Sequence, residues 1–143
     1  MIGLLRVGLQ NESERNVHLR LGAGDDRGYD YLTAISLEMR SQDGKQYQLE
    51  YLAMPITGVS RRVEVTIPPH GTWTGDVVLW NFFIFPGGPG HADNAHPIPL
   101  EDMPAARYSI TAVFTEAPPA SNPDPSDWVG TVRSQPLAYD WPY

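Results

Sequence analysis

Apolar and polar residues alternate along residues 107–114, which read Arg107-Tyr108-Ser109-Ile110-Thr111-Ala112-Val113-Phe114. The even-numbered positions of this stretch are apolar or aromatic and fall on one face of an extended chain. A period of two is the pattern of a half-buried β-strand. Residues 107–114 therefore predict a strand that turns one face towards the core of an all-β domain.

The same alternation recurs along most of the chain, and no window shows helical periodicity. A longer apolar stretch, residues 73–85, predicts a central strand covered on both faces. Asp43-Gly44 is typical of a hairpin turn. We therefore predict about eight or nine antiparallel strands and a sandwich or barrel. The other predicted strands lie at residues 5–9, 17–21, 35–39, 47–51, 63–67, 128–133 and 137–141.

Composition narrows the class of protein. The 143 residues predict a single domain, 1–143, and the absence of cysteine excludes disulfides and thiolate chemistry. A net charge of −7 disfavours binding to nucleic acid or to an anionic membrane. No apolar run has the length of a membrane helix or the form of a leader. We expect a cytoplasmic protein, or a mature secreted domain whose leader has been removed, of unpredicted oligomeric state.

Several segments carry a family resemblance. Residues 107–114 resemble the penultimate strand of immunoglobulin-like domains, in which a tyrosine hydroxyl bonds back to the preceding chain. The turn at residues 67–72 (Ile67-Pro68-Pro69-His70-Gly71-Thr72), the closing segment 128–139 and the opening segment 5–21 are similar to those of bacterial domains of this kind. This group includes small proteinase-inhibitor domains and sandwich domains attached to secreted peptidases. The resemblance implies a single antiparallel immunoglobulin-like β-sandwich, with Tyr108 as the corner residue.

Two long loops rich in proline and glycine, 86–106 and 117–127, are the first places to look for a site, because long loops in compact domains are often functional. Within the first, Pro97-Ile98-Pro99-Leu100 is typical of a rigid binding or inhibitory loop. Since loop-closure entropy depends weakly on length, replacing residues 87–103 is expected to leave stability nearly unchanged.

Aromatic residues near turns suggest a second kind of site. Trp128, Tyr29 and Tyr31 could form a platform for a sugar ring or a peptide. The alternative is that these rings close the open ends of the sandwich.

Two clusters contain possible metal ligands. His91, Asp93 and His96 lie within six residues and could bind a divalent metal, although their spacing matches no known motif. Carboxylates at residues 25, 26 and 30 suit calcium. The favoured alternative for both clusters is ordinary loop and turn chemistry without a metal.

These observations lead to a non-catalytic recognition domain as the first functional hypothesis. Its ligand is a protein or a carbohydrate, bound through Trp128, Tyr29 and Tyr31 or through residues 97–100. One alternative is a sandwich-type proteinase inhibitor that acts through the proline-rich loop. Another is a metal-dependent enzyme that uses the 91–96 loop. No nucleophile elbow and no phosphate-binding loop is present in the sequence.

Overall fold

A computed structural model describes residues 4–24, 30–51, 61–79, 82–88, 96–116 and 125–142. Across these ranges the chain forms eleven β-strands and one 3-10 turn, Leu100–Asp102. The strands are β1 Leu4–Gln10, β2 Val17–Gly24, β3 Asp30–Tyr31, β4 Ile35–Ser41, β5 Gln46–Glu50, β6 Arg61–Ile67, β7 Thr72–Val78, β8 Phe83–Pro86, β9 Ala106–Glu116, β10 Gly130–Arg133 and β11 Leu137–Trp141.

The main sheet has the order β10-β9-β4-β5-β8, and β11 also pairs with β9. All its pairings are antiparallel. Strands β10 and β11 pair with successive parts of β9 and are separated by residues 134–136. At this interruption the Ser134 hydroxyl oxygen accepts a hydrogen bond from the Ala112 amide at 2.9 Å. A side chain thus replaces a backbone acceptor where the edge strand bulges.

In the second layer, residues 4–24 and 61–78 run side by side as an antiparallel ribbon, which is divided into a two-stranded sheet, β1-β7, and a three-stranded sheet, β3-β2-β6. Strand β1 pairs with β7, β2 pairs with β6, and β3 adds to the outer side of β2. The ribbon is interrupted where residues 11–16 face residues 68–71. The Asn11 amide donates to the Gly71 carbonyl at 2.9 Å and links the two chains at this point.

The core lies between the two layers. Alternate residues of β4 and β9 point into it, among them Leu37, Met39 and Ile110, and they belong to the same buried cluster as Leu19 and Leu21 of β2. The predicted all-β, antiparallel, sandwich-like fold is confirmed. Its immunoglobulin-like topology stays a prediction.

One predicted strand is wrong. Residues 73–85 do not form a single central strand, because the chain turns after Val78, with the Phe82 amide bonded to the Leu79 carbonyl. Strand β7 pairs with β1 and β8 pairs with β5, in different layers. Exposed and less exposed positions alternate along β7, since its outer face carries Asp76 in an ion pair with Arg6. The division of this stretch, together with the short β3, gives eleven strands rather than eight or nine.

Residues 96–106 pack against the sandwich rather than project from it. The Ile98 amide donates to the Ile84 carbonyl at 2.8 Å, which extends the edge of β8. Met103 is buried, and its carbonyl accepts a hydrogen bond from Trp141 Nε1 at 3.2 Å. This part of the first long loop is a structural cover, which argues against the expectation that the loop can be replaced without loss.

The expected bond of Tyr108 is confirmed. Its side chain is 1% exposed, and its hydroxyl donates to the Pro104 carbonyl at 2.6 Å. Burial raises the pKa of this phenol above its ordinary value.

Tyr108→Phe should lower the free energy of unfolding by ~1–3 kcal/mol, because the Pro104 carbonyl then loses its donor in a partly buried site. Urea denaturation measures this change. A loss below ~0.5 kcal/mol, the size of an ordinary surface substitution, would show that the bond does not stabilise the corner.

Candidate functional site

An apolar cleft of about 420 Å³ opens between the β1–β2 connection and β10. We call it the Trp128 cleft. Polar residues 10–13 form one side of its mouth. Its apolar lining includes Leu9, Val17, Leu19, Phe114, Trp128 and Val132.

Backbone pairing fixes the position of Trp128. The His18 amide donates to the Ser126 carbonyl at 2.8 Å, and the Trp128 amide donates to the His18 carbonyl at 3.1 Å. The Trp128 ring lies against Phe114, with 5.5 Å between ring centroids and 34° between planes. The indole is therefore a preformed wall of the cleft, positioned by β2 and β9.

A charged cluster supports this wall from behind. Asp127 contacts Nδ1 of His18 at 2.6 Å and accepts a hydrogen bond from Arg20 Nη2 at 3.1 Å. The Arg20 backbone amide donates to the Glu116 carboxylate at 3.0 Å. Burial raises the pKa of Glu116 above its ordinary value, while the bond from Arg20 opposes this shift. These interactions tie the 126–128 segment to β2 and β9.

Asn11 shapes the mouth of the cleft. The residue is 5% exposed, and its Nδ2 donates to the carbonyls of Arg15, Ile67 and Pro68 at 2.7, 3.0 and 3.1 Å. Its Oδ1 accepts from the amide of Ser13 at 3.0 Å. These bonds hold the Asn11 side chain within the β1–β2 connection. The sequence alone gives no sign of this buried amide.

Exposed apolar residues lie on and next to the neighbouring strands β10 and β11. Val129, Val132 and Leu137 are 46%, 44% and 56% exposed, and they are three of the four exposed large hydrophobic residues in the described ranges. The fourth, Leu4, lies on β1. Among the described strands, β10 pairs only with β9, and no described strand lies along its other edge. Exposed apolar side chains next to an open strand edge are an unusual surface for a monomeric domain.

Of the aromatic residues predicted to bind, Trp128 lines the cleft. Tyr31 lies on β3, half-buried, and is not part of the lining. Tyr29 lies outside the described residues. The structure does not bring the predicted aromatic platform together in the part of the chain that it describes.

Exposed and partly buried residues alternate along the proline-rich segment 97–100. Pro97 and Pro99 are exposed, whereas Ile98 and Leu100 pack against the core. None of these four residues lines the Trp128 cleft.

The predicted metal ligands are only partly described. His96 is exposed, and His91 and Asp93 lie outside the described ranges, as do Asp25 and Asp26. Within the described ranges no group of three or more metal-binding side chains is found.

No family model, curated protein or solved structure matches this sequence. The described residues contain no helix of the length and apolarity that a membrane crossing requires.

Proposed function

We propose that this protein is a non-catalytic recognition domain that binds an extended segment of another protein along β10. The segment pairs with the open edge of β10 and places one apolar side chain in the Trp128 cleft. The observation that carries this proposal is the coincidence of exposed apolar residues, an open strand edge and a preformed apolar cleft at one place.

The chemistry of strand addition fits this edge. An edge strand presents unpaired amides and carbonyls, and a bound extended peptide satisfies them while alternate side chains enter pockets. Val132 pairs in register with Phe114 of β9 and lines the cleft. A side chain of the added strand at the same level would therefore lie beside Val132 and Trp128, between the two layers.

Charge favours a different protein over a second copy of this one. The chain carries −7, and Glu12 lies at the mouth of the cleft. Two such molecules repel one another, whereas a neutral or basic segment does not. We therefore propose a partner segment with an apolar anchor and no net negative charge.

The test is a selection of linear peptides displayed on phage, using the whole protein as bait, followed by affinity measurement with synthetic peptides. Val132→Lys should weaken binding of the selected peptide by at least about tenfold, because it places a charge in the apolar cleft. Leu4→Lys is the matched control, since Leu4 is equally exposed but lies on β1, and it should leave the affinity unchanged.

Strand pairing is tested separately with N-methylated versions of the selected peptide. One peptide is methylated at its odd-numbered amides and another at its even-numbered amides. One of the two should lose binding and the other should keep it, because only every second amide of an added strand faces β10. A selection without enriched peptides, or full binding by Val132→Lys, would overturn the proposal. Concentration-dependent dimerisation that Val132→Lys removes would assign the edge to a second copy instead.

A further inference from the structure

A second, polar recess lies on the outer face of the main sheet, opposite the core. It measures about 560 Å³ and crosses β10, β9, β4 and β5. We call it the Gln48 groove. Its polar lining includes Ser36, Glu38, Gln48, Glu50, Thr115 and Arg133.

Gln48 is the unusual member of this groove. It occupies an outward position of β5, paired in register with Glu38, yet it is only 7% exposed. Its side-chain oxygen Oε1 is buried and has no hydrogen-bond partner among the residues that the structure describes. A buried acceptor without a donor destabilises a fold, and few native residues have one. This amide is therefore suited to accept a hydrogen bond from a bound molecule.

The groups around Gln48 limit the charge of that molecule. Arg133 donates to the Glu38 carboxylate at 2.5 Å, so both signs of charge are present side by side. An anion would meet Glu38 and Glu50, and a cation would meet Arg133. A neutral ligand avoids both forms of repulsion.

The same groups indicate a ligand that both donates and accepts hydrogen bonds. Gln48 Oε1 requires a donor, whereas Arg133 retains further N–H groups that require acceptors. The hydroxyls of Thr115 and Thr131, 3.3 Å apart, serve in either role. Tyr51 adds an aromatic ring to the lining. Closely spaced hydroxyl groups on a ring with apolar faces match this arrangement.

We infer that the Gln48 groove binds a neutral polyhydroxylated ligand, a sugar ring of a glycan, with a ligand hydroxyl donating to Gln48 Oε1. The inference is independent of peptide binding at β10, because the groove lies on the opposite face of the sheet from the Trp128 cleft. Each site can be lost without the other.

The test titrates the whole protein by calorimetry with hexaoses of β-1,4-glucose, β-1,3-glucose, α-1,4-glucose, β-1,4-xylose and β-1,4-N-acetylglucosamine. At least one should bind, with an affinity that changes little between low and high salt, because the ligand is uncharged. Gln48→Leu should weaken this binding by at least about tenfold. It should also raise the melting temperature of the free protein by about 3 °C, because it removes a buried acceptor that has no donor.

Gln42→Leu is the matched control, because Gln42 is exposed in the β4–β5 turn and outside the groove, and it should change neither quantity. Failure of every hexaose to bind, unchanged affinity in Gln48→Leu, or a lowered melting temperature in that variant would overturn the inference. If Gln48→Leu does not fold, Thr131→Val is measured in its place. A loss of hexaose affinity of about fivefold supports binding in the Gln48 groove, and an unchanged affinity overturns the inference.

Discussion

Replacement of residues 97–103 by a Gly-Ser segment of equal length is expected to lower the free energy of unfolding by about 5 kcal/mol. The replacement removes Ile98 and Leu100, which pack against the core, and Met103, which is 3% exposed. Burial of an apolar side chain of this size contributes ~1.5–3 kcal/mol when complete. The hydrogen bond from the amide at position 98 to the Ile84 carbonyl would also be weakened. Since domains are stable by only ~5–15 kcal/mol, the variant should be largely unfolded.

Urea denaturation monitored by tryptophan fluorescence measures this effect. Pro97→Ser is the matched control, because Pro97 is exposed, and it should stay within about 0.5 kcal/mol of the parent. An unchanged denaturation midpoint in the segment replacement would mean that residues 97–103 do not cover the sheet, and the proline-rich segment would again be the first candidate for a binding loop.

This measurement distinguishes two properties of a proline-rich segment that its sequence does not distinguish: irregular backbone and exposure of its side chains to solvent. Proline and glycine at residues 86–106 predict irregular backbone, and that backbone is observed in the part described. They do not predict that Ile98, Leu100 and Met103 turn inwards, because irregular backbone has no periodicity to assign a face. A proline-rich segment can therefore be a rigid cover as readily as a rigid ligand-binding loop.

Alternation of apolar and polar residues predicted strands correctly where one face of the strand is buried. β4, β6 and β9 were predicted from period-two patterns, and their inward residues, among them Met39, Val63 and Ile110, are buried as expected. It failed at residues 73–85, because two strands and the turn between them are all apolar enough to read as one element. It also failed to predict β3, whose two residues are too short to show a pattern.

The candidate sites were less predictable than the fold. Trp128 was chosen from the sequence as an amphipathic residue near a turn, and the structure places it in the cleft. The cleft itself depends on the approach of residues 10–13 to β10, which are more than 100 positions apart in the chain. Gln48 gave no signal, because a polar residue between Tyr47 and Leu49 is the ordinary pattern of a half-exposed strand.

Asn11 shows how a single amide can connect two segments distant in sequence. The β1–β2 connection and the β6–β7 turn both leave the ribbon at this point, where the Asn11 amide bonds to the Gly71 carbonyl. One Nδ2 group donates to carbonyls of both, namely Arg15 on one side and Ile67 and Pro68 on the other. Among short polar side chains, only an amide offers a double donor together with an acceptor for the Ser13 amide. A serine or an aspartate at position 11 would leave buried carbonyls without donors.

Asn11→Ala is therefore expected to lower the free energy of unfolding by about 3 kcal/mol, because one buried and two partly buried carbonyls lose their donor at once. Asn16→Ala is the matched control in the same connection, since Asn16 is exposed, and it should change stability by less than about 0.5 kcal/mol. Chemical denaturation of the two variants side by side measures the difference. Residues 10–13 also form the mouth of the Trp128 cleft, so Asn11→Ala should weaken the selected peptide even under conditions in which the variant is fully folded. Equal stability of the two variants would show that water replaces the amide, and that the ribbon does not depend on this side chain for its junction.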